Sequence, residues 1–264
     1  MGQQGEAVTT TTDATDDRRA QQVALVTGSS GGIGAAVVEA LRARGDLVVG
    51  ADQAPRDGQA LEGFHSLDVT DERQTADVVR QVVAQHGRID VLVHAAGVLG
   101  GTPDPLVTST EEFERIMRIN ASGTFTITRE VANTMRDAGT KGTILLLSSV
   151  AAKEARVDYL PYNASKIAVL HIMWSMAKIL GPAGISVNAV NPGPVNTPLW
   201  SQLADQSGSA QAARDARAAQ LPMGRFAEPE EVANAVAFLT DASNRYVSGV
   251  SLDVAGGAHL GMGT

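Results

Sequence analysis

The chain contains no cysteine. That excludes disulfides, a thiol nucleophile and thiolate metal sites, and it fits a reducing compartment such as the cytoplasm. No window approaches the ~18 consecutive apolar residues that a membrane-spanning helix needs. Basic residues are in deficit: 21 Lys and Arg against 29 Asp and Glu give a formal charge of −8. Such a balance disfavours nucleic acid and anionic membrane surfaces as partners. Residues 1–20 lack the basic-then-apolar order of a secretory signal, and their polar, Thr-rich composition is expected of a disordered tail. His65, His86, His171 and His259 are scattered without metal-ligand spacing, so no metal site is expected.

What is present is 44% apolar residues and 27 glycines in 264. From residue 21 onward, short apolar runs alternate with longer amphipathic segments. Strands are expected at Val23 to Val26, Leu47 to Asp52, Phe64 to Val69, Ile89 to Val93, Thr143 to Leu147, Ile185 to Val190 and Val250 to Val254. Helices are expected after the first strand, with Ile33, Val37 and Leu41 on one face, and from a Thr70 cap to Gly87. Others follow over 109–136, interrupted at Asn120, Ser122 and Gly123, from Pro161 to Leu180, and from Glu228 to Leu239. Residues 193–222 carry little pattern and are expected to form a lid. Strands apolar throughout, each followed by a helix, predict an α/β chain with one doubly wound parallel sheet, Rossmann-like, flanked by helices over 21–264.

Between the first strand and its helix stands Thr27-Gly28-Ser29-Ser30-Gly31-Gly32-Ile33-Gly34. Small residues there let backbone approach a pyrophosphate at a helix N-terminus. Asp52 ends the second strand eighteen residues past Gly34, where a carboxylate accepts bonds from adenosine ribose hydroxyls and repels a 2′-phosphate. The expected cofactor is therefore NAD, with Arg56 nearby as the one feature that clouds the choice. Asp68 and Val69 close the third strand; Asp68 reads either as an adenine contact or as a turn carboxylate capping the next helix. Ala95, Ala96 and Gly97 end the fourth strand with small residues beside the same place.

Tyr162 and Lys166 are four apart, one helical turn, and Ser149 ends the fifth strand thirteen residues before Tyr162. Ligands bind at the carboxyl ends of parallel strands, so these three residues can form a proton-transfer site. A tyrosine of pKa ~10 is a poor base until a nearby ammonium favours its phenolate.

With these motifs in order over roughly residues 22–257, the chain resembles the short-chain dehydrogenase/reductase family. The resemblance implies Asn120, Ser149, Tyr162 and Lys166 as the catalytic set. It also implies a dinucleotide held by the glycine turn, by Tyr162 and Lys166, and by Pro192, Gly193, Val195 and Thr197 after the sixth strand. A homotetramer is implied by the same likeness. His94 departs from the family's usual Asn and is expected to satisfy neighbouring backbone groups.

Substrate contacts are expected from Leu99, Ala151, Arg156, Leu199 and Trp200, although Trp200 reads equally as a packed lid residue. Arg156 is similar to a feature of the family's dihydro-dihydroxybenzoate dehydrogenases, where it would pair with a substrate carboxylate; it reads equally as a solvated partner of Asp158 and Glu154. The expected reaction is hydride transfer between NAD(H) and a small, cyclic secondary alcohol or ketone. The alternatives are a 3-oxoacyl or polyketide ketoreductase and a non-catalytic dinucleotide-binding regulator.

Overall fold

The computed structural model describes residues 21–58, 63–198 and 210–260. The tail read over 1–20, and Leu199 and Trp200, lie outside the described residues.

Seven parallel strands form one sheet in the order β3-β2-β1-β4-β5-β6-β7. They are β1 (Val23–Thr27), β2 (Leu47–Asp52), β3 (His65–Ser66), β4 (Val91–His94), β5 (Thr143–Leu147), β6 (Ser186–Pro192) and β7 (Ser251–Val254). The helices are α1 (Gly32–Ala43), α2 (Glu72–His86), α3 (Thr110–Met117), α4 (Gly123–Asp137), α5 (Leu160–Leu180), α6 (Ala210–Ala218) and α7 (Pro229–Leu239).

The central strands β1, β4 and β5 are mostly apolar because both faces are covered. Leu25, Leu92, Ile144 and Leu146 face Val79, Ile127, Val131 and Met173 of α2, α4 and α5. Ala24, Val26, Val93 and Leu145 face Val37, Leu41, Val232 and Val236 of α1 and α7. Each fully buried large aliphatic side chain stabilises the fold by ~1.5–3 kcal/mol relative to exposure. The chain runs outward from β1 through β2 to β3, then returns to place β4 on the other side of β1. That reversal leaves a crevice at the carboxyl ends of β1 and β4, where ligands bind in doubly wound sheets.

The structure departs from the sequence expectation in four places. The third strand shrinks to His65–Ser66, because beyond Ser66 the chain turns away: Asp68 N–H donates to Gln74 Oε1 at 2.6 Å. The following helix is capped by Asp71, not Thr70; the Asp71 carboxylate accepts from Gln74 N–H at 3.0 Å. The interruption expected near Asn120 is a π-helical turn, Arg118–Ser122, between α3 and α4. Finally, α6 occupies part of the segment that had little pattern; its sequence is Ala, Arg, Gln and Asp, without an apolar stripe to read.

Candidate active site

The glycine turn and the end of β4 meet backbone to backbone. Gly28 has φ +70°, and a Cβ there would lie 2.5 Å from Ala96 N. A Cβ on Gly34 would lie 2.0 Å from the Gly28 carbonyl oxygen, so the helix starts directly against the turn. The N-cap of α1, Gly31, supplies no side-chain cap bond, which leaves first-turn N–H groups of a twelve-residue helix available to an anion. Asp52 stands beside them: its Oδ2 accepts from Ser30 N–H at 3.0 Å and its Oδ1 from Gln53 N–H at 2.8 Å. This is a cradle that fits a dinucleotide, with a carboxylate at the ribose end.

The remaining residues expected at the cofactor are distributed along the same edge. Ile33, Ala95, Gly97, Pro192, Gly193, Val195 and Thr197 line one cavity, and Thr197 approaches Gly32 to 2.7 Å from where a Cβ would be. A Cβ on Gly97 would sit 3.2 Å from Asn120 Oδ1 and 3.5 Å from Lys166 Nζ. Asp68 takes the turn role: its Oδ1 accepts from Thr70 N–H at 2.9 Å and from the Thr70 hydroxyl at 2.8 Å. Val69 is buried, with its side chain against Gly123.

Ser149, Tyr162 and Lys166 converge on this cavity. Ser149 follows β5, and its hydroxyl accepts from Ala151 N–H at 3.1 Å on the cavity wall it shares with Tyr162. Tyr162 lies in the first turn of α5, opened by Pro161 after Tyr159 in the left-handed region at φ 53°. Lys166, one turn on, donates to the Leu147 carbonyl at 3.0 Å, with its Nζ 5.6 Å from the Tyr162 ring centroid. Asn120 is locked by the π turn: its amide donates to Val98 O at 2.8 Å and Ser165 Oγ at 3.0 Å, and its oxygen accepts from Val98 N–H at 2.9 Å. Ser165 in turn donates to the Tyr162 carbonyl at 2.7 Å. Sequence reasoning passed over Ser165, although its place three residues after Tyr162 puts it on the same helix face.

Charge at the site differs from the expectation in one respect. Burial pushes the Tyr162 phenol above its ordinary value, opposed by the Ser149 hydroxyl and the Arg156 charge. Lys166, whose ammonium donates to Leu147 O, is not among the groups that shift it. Burial lowers Lys166 to about 8, which still leaves it mostly protonated at neutral pH.

His94 bonds a side chain where backbone partners were expected: its Nδ1 lies 2.7 Å from Thr27 Oγ1, and its buried Nε2 has no partner. Burial first, and the Lys166 charge second, lower its pKa from 6.5 to about 3. The unfolded chain therefore binds a proton at His94 between those values and the folded chain does not. Stability rises with pH across that window and falls as pH drops below about 6, by up to ~1.4 kcal/mol per unit. A His94→Asn variant should show a shallower loss of stability than the parent between pH 6 and pH 4 in urea titrations. Equal slopes would mean that His94 is not the buried neutral base.

The cavity is about 550 Å³ in volume. Leu99, Ala151 and Arg156 line it as expected, with Asp158 and Tyr159 from the loop after Ser149 that was also expected there; Arg217 and Gln220 come from the segment expected to form the lid, without having been singled out. The Arg156 guanidinium is engaged: it donates to Asp158 Oδ1 at 3.0 Å and Oδ2 at 2.8 Å and lies 3.9 Å from Glu154. Arg156 thus stands at the cavity wall as the ion-pair partner of Asp158.

A dinucleotide cradle at the switch point of a doubly wound sheet, with Ser, Tyr and Lys at its edge, defines a dinucleotide-dependent oxidoreductase of alcohols or ketones. The family model described as enoyl-(acyl carrier protein) reductase matches residues 28–259. L-fucose dehydrogenase of Bos taurus is 34% identical over 253 residues, covering 93% of this chain and 92% of the relative. The 3-oxoacyl-[acyl-carrier-protein] reductase of Thermotoga maritima is 34% identical over 248 residues, covering 89% and 97%. Among solved structures, actinorhodin polyketide ketoreductase with NADPH superposes with a TM-score of 0.82 at 30% identity, covering 90% of this chain and 97% of that one. The chain belongs to the short-chain dehydrogenase/reductase family. It is an NAD(P)-dependent oxidoreductase acting on an alcohol or ketone. Among the described residues, no helix is long and apolar enough to cross a membrane.

Proposed function

We propose that the protein interconverts a ketone and a secondary alcohol with NAD(H), and that a 3-oxoacyl or related chain ketone is the first substrate class to try. The observation that carries the reading is the convergence of Ser149, Tyr162 and Lys166 on the wall of one cavity with the glycine-turn residue Ile33 and Pro192 to Thr197. Bound in that cavity, a nicotinamide dinucleotide supplies or accepts the hydride. The glycine turn from Gly28 to Gly34 would hold the pyrophosphate. Asp52 would take the ribose hydroxyls, and Pro192 to Thr197 the carboxamide. Ser149 and Tyr162 hold the substrate oxygen. In reduction, Tyr162 gives that oxygen its proton; in oxidation, it removes the proton. Lys166 orients the nicotinamide ribose, and Asn120 fixes the wall behind it.

The reductases among the relatives support the 3-oxoacyl class. The fucose dehydrogenase supports a cyclic secondary alcohol as the second reading. For a carboxylated cyclohexadiene diol, the substrate of dihydro-dihydroxybenzoate dehydrogenases, Arg156 would have to share its guanidinium between Asp158 and the substrate carboxylate. We place the enzyme in the cytoplasm as a homotetramer; Phe125 and Trp174, exposed on α4 and α5, and Phe238 on α7 support apolar subunit contacts.

The choice of NAD rests on Asp52, which occupies the Ser30 N–H that a 2′-phosphate would seek and repels the phosphate charge. Titration should show NADH binding at least roughly tenfold more tightly than NADPH. Asp52→Ser should erase the difference. A preference for NADPH in the parent chain would give the selection to the neighbouring Arg56 instead. Loss of nicotinamide absorbance with 3-oxoacyl thioesters, set against cyclic ketones, then decides between the two substrate readings.

A further inference from the structure

Three cations and one carboxylate line the active-site cavity: Arg156, Lys166 and Arg217 against Asp158. In a chain of net charge −8, that positive excess is local. Two of the cations are already engaged, Lys166 with the Leu147 carbonyl and Arg156 with both oxygens of Asp158. Arg217 differs. It is half-buried on α6, and its hydrogen bond goes to a neutral acceptor, Gln220 Oε1, at 3.0 Å. Its charge reaches Asp158 only through space, as a lesser influence behind the Arg156 hydrogen bonds.

We infer that Arg217 anchors an anionic group of the substrate, a carboxylate or a phosphate, on the α6 side of the cavity. The inference deepens the ketone reading, since the anion belongs to the same molecule as the reacting carbonyl. Exchanging the amide oxygen of Gln220 for an anion breaks no ion pair. It gains charge-assisted bonds, and a guanidinium can make two of these in parallel. The same exchange at Arg156 would first have to displace Asp158. A cleft carrying one sign of charge also concentrates the opposite ion ahead of binding. The anion would lie between two walls, α6 with its following turn on one side and the 156–158 loop on the other.

The test reads binding, with the oxidised dinucleotide saturating so that a ketone cannot turn over. Calorimetry compares acetoacetate with methyl acetoacetate, and acetoacetyl-phosphopantetheine with acetoacetyl-pantetheine. One charged member should bind more tightly than its neutral twin. Arg217→Gln should reduce that preference about ten- to a hundredfold, and Arg217→Lys should restore part of it. Preference in the first pair assigns a substrate acid, and in the second a phosphorylated carrier arm. No preference in either pair with the parent chain, or a preference unchanged in Arg217→Gln, overturns the inference. A chain that shows the Arg217-dependent preference yet reduces none of these ketones with NADH would instead refute the ketone reading.

Discussion

A Tyr162→Phe variant should turn over roughly a thousandfold more slowly than the parent while binding the dinucleotide about as well. The expectation comes from what one oxygen does. Tyr162 lines the cavity together with Ser149, and proton transfer by a positioned side chain is worth ~10²–10⁴ in rate. Phenylalanine keeps the ring, so the start of α5 and the approach of Lys166 to the ring face survive. The measurement is steady-state turnover beside a nicotinamide fluorescence titration. Turnover within tenfold of the parent would send the proton elsewhere. The direction of the Tyr162 shift adds a pH signature. Because burial holds the phenol protonated, reduction is favoured on the acid side and oxidation rises toward alkaline pH.

Gly34→Ala should be nearly as damaging, through space alone. Its backbone needs no special φ, but the added methyl would fall 2.0 Å from the Gly28 carbonyl oxygen, well inside any van der Waals contact. That oxygen cannot simply move away, because Gly28 itself is pressed against Ala95 and Ala96. The start of α1 must shift outward, carrying its free N–H groups off the pyrophosphate position. Overpacking of this kind costs ~1–3 kcal/mol and occasionally more, so dinucleotide affinity should fall by up to about a hundredfold. Gly181→Ala is the control: it has open space and φ −50°, and it should leave both melting temperature and affinity unchanged. Equal behaviour of the two variants would mean that the turn can relax.

Much of this was legible from the residues because two signals were strong. The runs at Val23 to Val26 and Ile144 to Leu147 are apolar at every position, as strands covered on both faces require. The Tyr162 to Lys166 spacing and the crowded glycines before Ile33 mark the site without help from packing. Legibility failed where tertiary contacts or neutral composition decide. His65–Ser66 pairs with one neighbour only, so the strand ends as soon as Gln74 offers Asp68 a better partner. The α6 sequence has no apolar period, so within the expected lid nothing singled out Arg217 and Gln220. Arg156 could be read two ways until the position of Asp158 was known. The orphaned Nε2 of His94 depends on what surrounds it, which no single position reveals.

The strand order also sets a timetable for the chain as it is made. β1 is the central strand reached first, yet its β4 partner lies 67 positions further on, where Leu25 pairs with Leu92. Until then, one edge of β1 has no strand to bond. Each parallel pairing must close a long loop before it gains any contact, so assembly belongs to the slow class of folding reactions. The N-terminal half can bury the glycine turn against β2 early, but the walls holding Ser149 and Tyr162 arrive only with β5 and α5. The pyrophosphate and ribose end of the cradle, Gly28 to Gly34 with Asp52, is thus made well before the chemistry, whereas the nicotinamide end at Pro192 to Thr197 comes after it, so a dinucleotide present during synthesis meets only the first half of its site.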